Sequence, residues 1–570
     1  MSRTNHLYIS LCALPLLACT ATLAGQEEDG SGGGSGSGSG SGPGSGAGGS
    51  TFSEDCAGTE VVTPKRLVRL TFNQLVNSIG NLFGAAVATT IQTDFTIPDA
   101  THRTFPPLSS PREGSVITDS VWLTADNISQ VVAKHVFDDF ATVTACTATP
   151  TDECGQGYVT TLAEKAYRRP LTDAERAALL GVYNGVKTDG GTVQDAVRYG
   201  VYAVLESPQF LYRTEFGTSS ATEGALTPYE MADALAYFMA DAPPDQELLN
   251  AARDNALSTP EQISAQVNRL LATPAVRANL EAATLAYFRI PNLETVVIDP
   301  AVAPDFTNGV RASMYRESEL FIQDVLWNGP MASLLSSRKT YINTALAPLY
   351  GVTAPAGATA DMFVAVDLPA SRAGLLTSLG FLTATSRPDQ PSVVGRGLAV
   401  NAAFLCAENP AFPEELKDVI ADANTALAGK SEREKSAYRQ TTVPCAGCHM
   451  SFDPYGVGLE NFDVIGKYRT MDPEGRPIDA SVTLPANAGG AAVTDAAGMA
   501  DALASGGTFV SCMTKNFIAF ALAEGSAALD SCATVAIKDR FDEGDKSFSS
   551  MIREIALSKT LGTRAPGAAQ

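Results

Sequence analysis

Histidine is scarce. Four occur in 570 residues, His6, His102, His135 and His449, and His6 lies in an N-terminal leader. A multi-histidine metal centre is thereby nearly excluded. Positive charge is short too: 40 Lys and Arg stand against 62 Asp and Glu, and the net charge of −22 is spread along the chain. Such a surface argues against nucleic acid and against electrostatic docking on anionic lipid. After the leader there is no run of about eighteen uninterrupted apolar residues, so no membrane-spanning helix is expected. What remains is an ordinary globular mixture, 45% hydrophobic and 18% charged. The length suggests about three to five domains.

The leader, residues 1–18, reads as an export signal: Arg3 is followed by an apolar run from Leu7 to Ala18, interrupted by Pro15. It ends Leu16-Leu17-Ala18-Cys19, which resembles the lipobox of bacterial lipoproteins, so Cys19 is the candidate for lipidation. Thr20 in place of Asp resembles lipoproteins passed to the outer membrane, facing the periplasm or the cell surface. Ordinary cleavage nearby, with Cys19 incidental, is the alternative. Residues 19–63 then form a tether whose Gly30–Ser50 stretch is almost pure Gly and Ser. A coil of that composition spans roughly 25 Å and buries nothing.

Cys445-Ala446-Gly447-Cys448-His449 has the spacing of a c-type haem attachment site. Two thiols three positions apart can each add to one porphyrin vinyl group, and the adjacent imidazole can then serve as proximal iron ligand. A redox disulfide, half of a zinc site and a chance match in an exported chain are the other readings. The first wants a βαβ context that is not visible. The second wants a nearby second ligand pair, and the next Cys is Cys512.

The body between tether and C-terminus reads as mainly α, a series of packed helical domains. Residues 64–140 open with Arg66, Leu67, Leu70, Leu75, Ile79, Leu82 and Phe83 at helical spacing, stopping at Gly84. Val121–Phe140 is a second helical stretch, in which His135 is a core or surface residue rather than a ligand. Residues 141–218 carry a helix N-terminus at Thr172 with Glu175 three positions on. Arg168 and Arg169 just before it suit a solvated or capping pair better than an anion clamp. Residues 224–355 repeat the cap grammar at Thr227-Pro228 and Thr259-Pro260. There Glu317, Glu319 and Asp324 read as a solvated face, since no nucleophile or metal set accompanies them. The charge run Lys430–Lys435 reads as a mobile approach to the thiols.

Arg372 through Arg469 contains RAGLLT, SVVGRG, FLC, CAGCH, DPYGVGLENFD and IGKYR. These blocks resemble the Planctomycete-type cytochrome C domain of large exported bacterial proteins. RLVRLTFNQL, AYRRPLTDAER with SPQFLYR, YEMADALAYF to ALAPLYG, and FVSCMTKNFIAFAL resemble its usual companion domains of unknown function. The resemblance implies a helical body with one covalent haem c in residues 370–485, a C-terminal helical domain at 490–565, and no settled activity. In the haem reading Pro454 turns the chain, Gly456 allows close approach to the porphyrin, and Leu459 and Phe462 form an apolar wall. Glu460 and Asp463 are placed to hold Arg469 or a propionate neighbour. Members often carry a Met just before the Asp-Pro, but here Phe452 stands there and cannot ligate. The sixth iron position therefore falls to Met471, to Met513, or to nothing but water.

Ten Cys are present. Besides Cys12 of the leader, Cys19 and the two haem thiols, six remain for up to three disulfides. Proximity favours Cys146–Cys154 and Cys512–Cys532, leaving Cys56–Cys406. Three functions stay open. The first is an anchored cytochrome exchanging electrons with an unidentified partner protein. The second is a haem-dependent oxidoreductase, peroxidase-like or oxygenase-like, acting on an extracellular substrate, with His102, His135 or Arg469 as distal candidates. The third is an interaction module with a vestigial haem site.

Overall fold

The computed structural model describes residue 56 and residues 60–95, 118–147, 149–219, 221–407, 409, 414–525 and 529–567. The leader, Cys19, Gly30–Ser50 and His102 lie outside the described residues. The chain is mainly α; its strands are short and pair two by two. Among the described residues no helix is long and apolar enough to cross a membrane.

Five helical pieces are expected, and their apolar side chains gather around two cores. The first core runs from Phe72 to Phe210 and the second from Leu226 to Leu561. Short amphipathic helices close an apolar surface only by packing on neighbours, so successive pieces share one interior. In the first core, α1 (Phe72–Phe83) starts at a reciprocal cap between Thr71 and Gln74. It packs with α2 (Asp119–Asp138), α3 (Asp152–Ala166), α4 (Asp173–Thr188) and α5 (Val193–Leu205) through Ile79, Val132, Val159, Tyr183 and Val201. The cap of α4 forms as its sequence predicts, with Thr172 and Glu175 bonded reciprocally.

Arg66–Arg69 is not the first turn of a helix. It is strand β1, antiparallel to β2 (Tyr212–Glu215), with Arg66 opposite Glu215. Leu67, counted as an apolar helix position, is instead exposed, because a strand alternates faces where a helix does not. His135 on α2 is partly exposed and its Nδ1 lies 3.2 Å from Asp139.

The second core holds α6 (Pro228–Met239), α7 (Asn308–Asn328), α8 (Val393–Leu405), α11 (Asp453–Gly458) and α12 (Thr508–Leu522), while α9 (Glu432–Thr441) and α10 (Ala446–His449) contribute no apolar side chain to it. Lys430–Lys435, expected to be a mobile approach, runs into α9 with Ser431 and Glu434 forming a capping box. Thr227 and Glu230 cap α6 in the same way.

The disulfides hold one expectation and exchange two. Cys146 pairs with Cys154. Cys512 pairs with Cys406, and Cys532 with Cys56, in place of Cys512–Cys532 and Cys56–Cys406. Nearness in sequence fails here because closing a long loop costs little more than closing a short one. The end of α8 meets α12, which brings Cys406 to Cys512. Thr63 bridges to Arg564, which carries the N-terminal segment beside the C-terminal helices and so brings Cys56 to Cys532.

Candidate functional site

The CAGCH turn is α10, which packs on α9; α9 packs in turn on α11, and α11 lies along α8. Two glycines make that contact. A Cβ on Gly456 of α11 would stand 1.9 Å from the Val393 carbonyl, and one on Gly397 of α8 would stand 2.2 Å from that of Phe452. Backbone therefore lies on backbone, and α11 has no freedom to rise. Two arginines fix the chain beyond α11. Arg396 of the SVVGRG block donates to the carbonyls of Leu459, Phe462 and Asp463. Arg372 of the RAGLLT block donates to Thr377 and Gly466 carbonyls and stacks between Tyr350 and Phe462. Burial pulls the Arg396 guanidinium down to about 10.

The loop Glu460–Arg469 then closes on itself. Asn461 and Arg469 exchange backbone and side-chain bonds, and Arg469 pairs with Glu460. Burial pushes the Glu460 carboxyl up to about 7 against the pull of Arg469 and Arg396. Asp463 does not reach toward Arg469; its Oδ1 accepts from the Ile465 and Lys467 amides.

On this frame Cys445 and Cys448 are free thiols, one partly exposed and the other exposed. His449 Nδ1 lies 2.9 Å from Asp453 Oδ1, and the other carboxylate oxygen accepts from Arg439 Nε at 2.7 Å. Asp453 is fully buried, while the His449 side chain is 21% exposed. A carboxylate can only accept, so Nδ1 carries a proton, and in the neutral imidazole the lone pair is then on Nε2. The imidazole also lies 4.9 Å from the Phe452 ring. The turn thus presents two available sulfur nucleophiles and one oriented nitrogen donor. Six of the fourteen large apolar side chains that are exposed among the described residues lie between positions 419 and 471 of the sequence: Val419, Tyr438, Val443, Met450, Tyr468 and Met471.

Other expected site residues are placed differently. Pro454, Gly456, Leu459 and Phe462 are buried against protein, with Gly456 on α8 and Leu459 and Phe462 inside the second core. Their role here is to seat α11; the close approach that Gly456 permits is to a helix. Met513 is fully buried in that core, which removes it from the exposed thiol turn. Met471 is 51% exposed on a loop bridged to Pro477.

Two further features escaped sequence reasoning. Arg168, expected to be solvated, is buried at φ 58 and donates to Asp233 and to the Ala166, Gln209 and Tyr212 carbonyls. Arg169 does cap, through Glu175. Glu317 is not on a solvated face. It is 1% exposed, with Oε1 accepting from Thr340 at 2.7 Å and from Tyr350. Its Oε2 has no hydrogen-bond partner, and a void of about 10 Å³ beside it has room for one water molecule. Burial pushes this carboxyl up to about 7. Among the described residues no group of three or more His, Cys, Asp or Glu is placed to hold a metal ion.

Four families, each described as a protein of unknown function, match parts of the chain. DUF1595 matches residues 154–215, DUF1592 residues 226–352, DUF1588 residues 372–472 and DUF1585 residues 489–561. These are domains associated with Planctomycete cytochrome C proteins, and the DUF1588 match contains both thiols, His449 and Asp453. No curated protein and no solved structure matches the chain.

Proposed function

We propose that this chain is an exported, lipid-anchored c-type haem protein that exchanges electrons with a periplasmic or extracellular partner. The observation that carries the reading is the α10 turn, where two free thiols adjoin an imidazole whose Nδ1 is held by a buried carboxylate. Cys445 and Cys448 would hold the porphyrin as thioethers, and His449 Nε2 would ligate the iron. When bound, the haem supplies a one-electron couple near the surface. The exposed apolar side chains from Tyr438 to Met450 give the ring edge a surface to cover. Met471, exposed on its loop, is the thioether proposed for the sixth position. Export and the lipid on Cys19 rest on the leader alone.

A visible spectrum of protein made in a host that matures c-type cytochromes tests the role. An electron carrier gives a low-spin spectrum with a methionine–iron charge-transfer band at the red end, and Met471→Ala removes that band. A high-spin ferric spectrum that changes with peroxide contradicts the carrier and leaves the enzyme.

A further inference from the structure

His449 Nδ1, the ring nitrogen that would face away from a bound iron, has an unusually charged environment for so exposed a turn. Asp453 is the fourth residue after His449, at the first turn of α11, and Pro454 behind it fixes the backbone there. Gly456 and Gly397 clamp that helix onto α8, so the carboxylate cannot retreat from the ring. Its two oxygens divide their work. Oδ1 meets His449 Nδ1 and Oδ2 meets Arg439 Nε, on the preceding helix α9. The Arg439 Nη2 atom is buried with no partner, so this guanidinium is committed to the one carboxylate.

We infer that Asp453 and Arg439 are positioning residues that set how strongly His449 donates to the iron, and so set the reduction potential of the bound haem. The inference rests on the haem reading above. A full carboxylate accepting from Nδ1–H shifts electron density toward Nε2, which strengthens the ligand and favours ferric iron. A neutral carbonyl in the same place would do so less. Arg439 opposes the effect by drawing charge to Oδ2, and it holds the carboxylate in the ring plane's reach. The two side chains therefore act with opposite sign on one nitrogen. Phe452, in contact with the ring, limits its rotation and keeps the Nδ1 contact in place.

The test uses the full haem-loaded chain. In Asp453→Asn the amide oxygen can still accept from Nδ1–H, while the amide NH2 meets Arg439 Nε donor to donor, so the ring contact is kept and both the charge and the Arg439 bond are lost. The midpoint potential is expected to shift upward. Arg439→Gln is expected to shift it downward, because the carboxylate is then uncompensated. The hyperfine-shifted His449 ring resonances of the cyanide-ligated ferric form are expected to move in opposite directions in the two variants. A change of potential with unmoved ring resonances overturns the inference, since a charge acting through space would do as much. So do shifts of the same sign, or none. If Asp453→Asn alone fails to take up haem, Arg439→Gln decides by its own sign; loss of haem from both variants overturns the inference by making the pair a requirement of maturation. A colourless parent protein defeats the haem reading itself, which the parent's spectrum reveals before either variant is made.

Discussion

At the scale of single residues, Glu317 shows how much burial changes an acid. Its carboxyl is raised from 4.5 to about 7 by burial, against the bonds from Tyr350 and Thr340 and the field of Arg372. A folded value above the unfolded one means a contribution complete below about 4.5 and lost as pH rises through about 7. The loss comes to roughly 3 kcal/mol by linkage. Glu317→Gln cannot ionise and keeps an acceptor for Thr340 and Tyr350. Melting temperature measured from pH 5 to 8 is therefore expected to fall less in the variant than in the parent. Glu460 keeps its own share of the pH dependence in both. Equal slopes in the two proteins would mean that Glu317 ionises freely. Nothing local in the sequence announces this residue, because burial is decided by the Lys339–Ile342 strand, by Tyr350 and by Leu375, all far along the chain. The thiol turn lies at the other extreme. Cys445, Cys448 and His449 are legible because their chemistry resides in their own spacing, whereas the Asp453–Arg439 arrangement needs two helices in place.

At the scale of elements, the seating of α11 on α8 decides whether the thiol turn has a fixed frame. Gly456→Ala places a methyl 1.9 Å from the Val393 carbonyl, with backbone atoms and no flexible side chain in the way. The two helices must separate, at a cost of about 2 kcal/mol or more. Gly447→Ala, between the two cysteines, meets open space and is expected to be neutral or stabilising by up to about 1 kcal/mol. Denaturant unfolding of the two variants separates these outcomes; equal midpoints would mean that α11 is not held by close approach. Helix starts were readable at this scale. The Thr172, Thr227 and Thr259 caps form where their short patterns place them, since a cap is satisfied within one turn. Pairing partners were not readable. Arg66–Arg69 carries helical spacing, yet it becomes a strand because Glu215 lies across from it.

At the scale of the whole chain, segments distant in sequence meet at one buried carboxylate. Arg66 of β1 pairs with Glu215 at 2.7 Å, Arg564 near the C-terminus pairs with the same oxygen, and Arg213 stands 3.7 Å from the other. Burial pushes Glu215 up, but the three guanidinium groups together hold it well below the usual carboxylate range. Arg66 also reaches Glu524 at 2.6 Å. A buried ion set of this kind adds little over apolar packing, but losing one member strands the others. It fixes which segments meet. The Cys56–Cys532 bond ties the same two ends of the chain covalently. The two ends of the described body are thus held together. The most direct measurement is the intact mass of the denatured protein after maturation in a cytochrome-competent host. A mass equal to the processed chain with its Cys19 lipid plus one haem, the haem increment being lost in the Cys445→Ala, Cys448→Ala double variant, is the predicted result. A parent mass equal to the chain alone, with Cys445 and Cys448 recovered as free thiols or as a disulfide, would contradict the account.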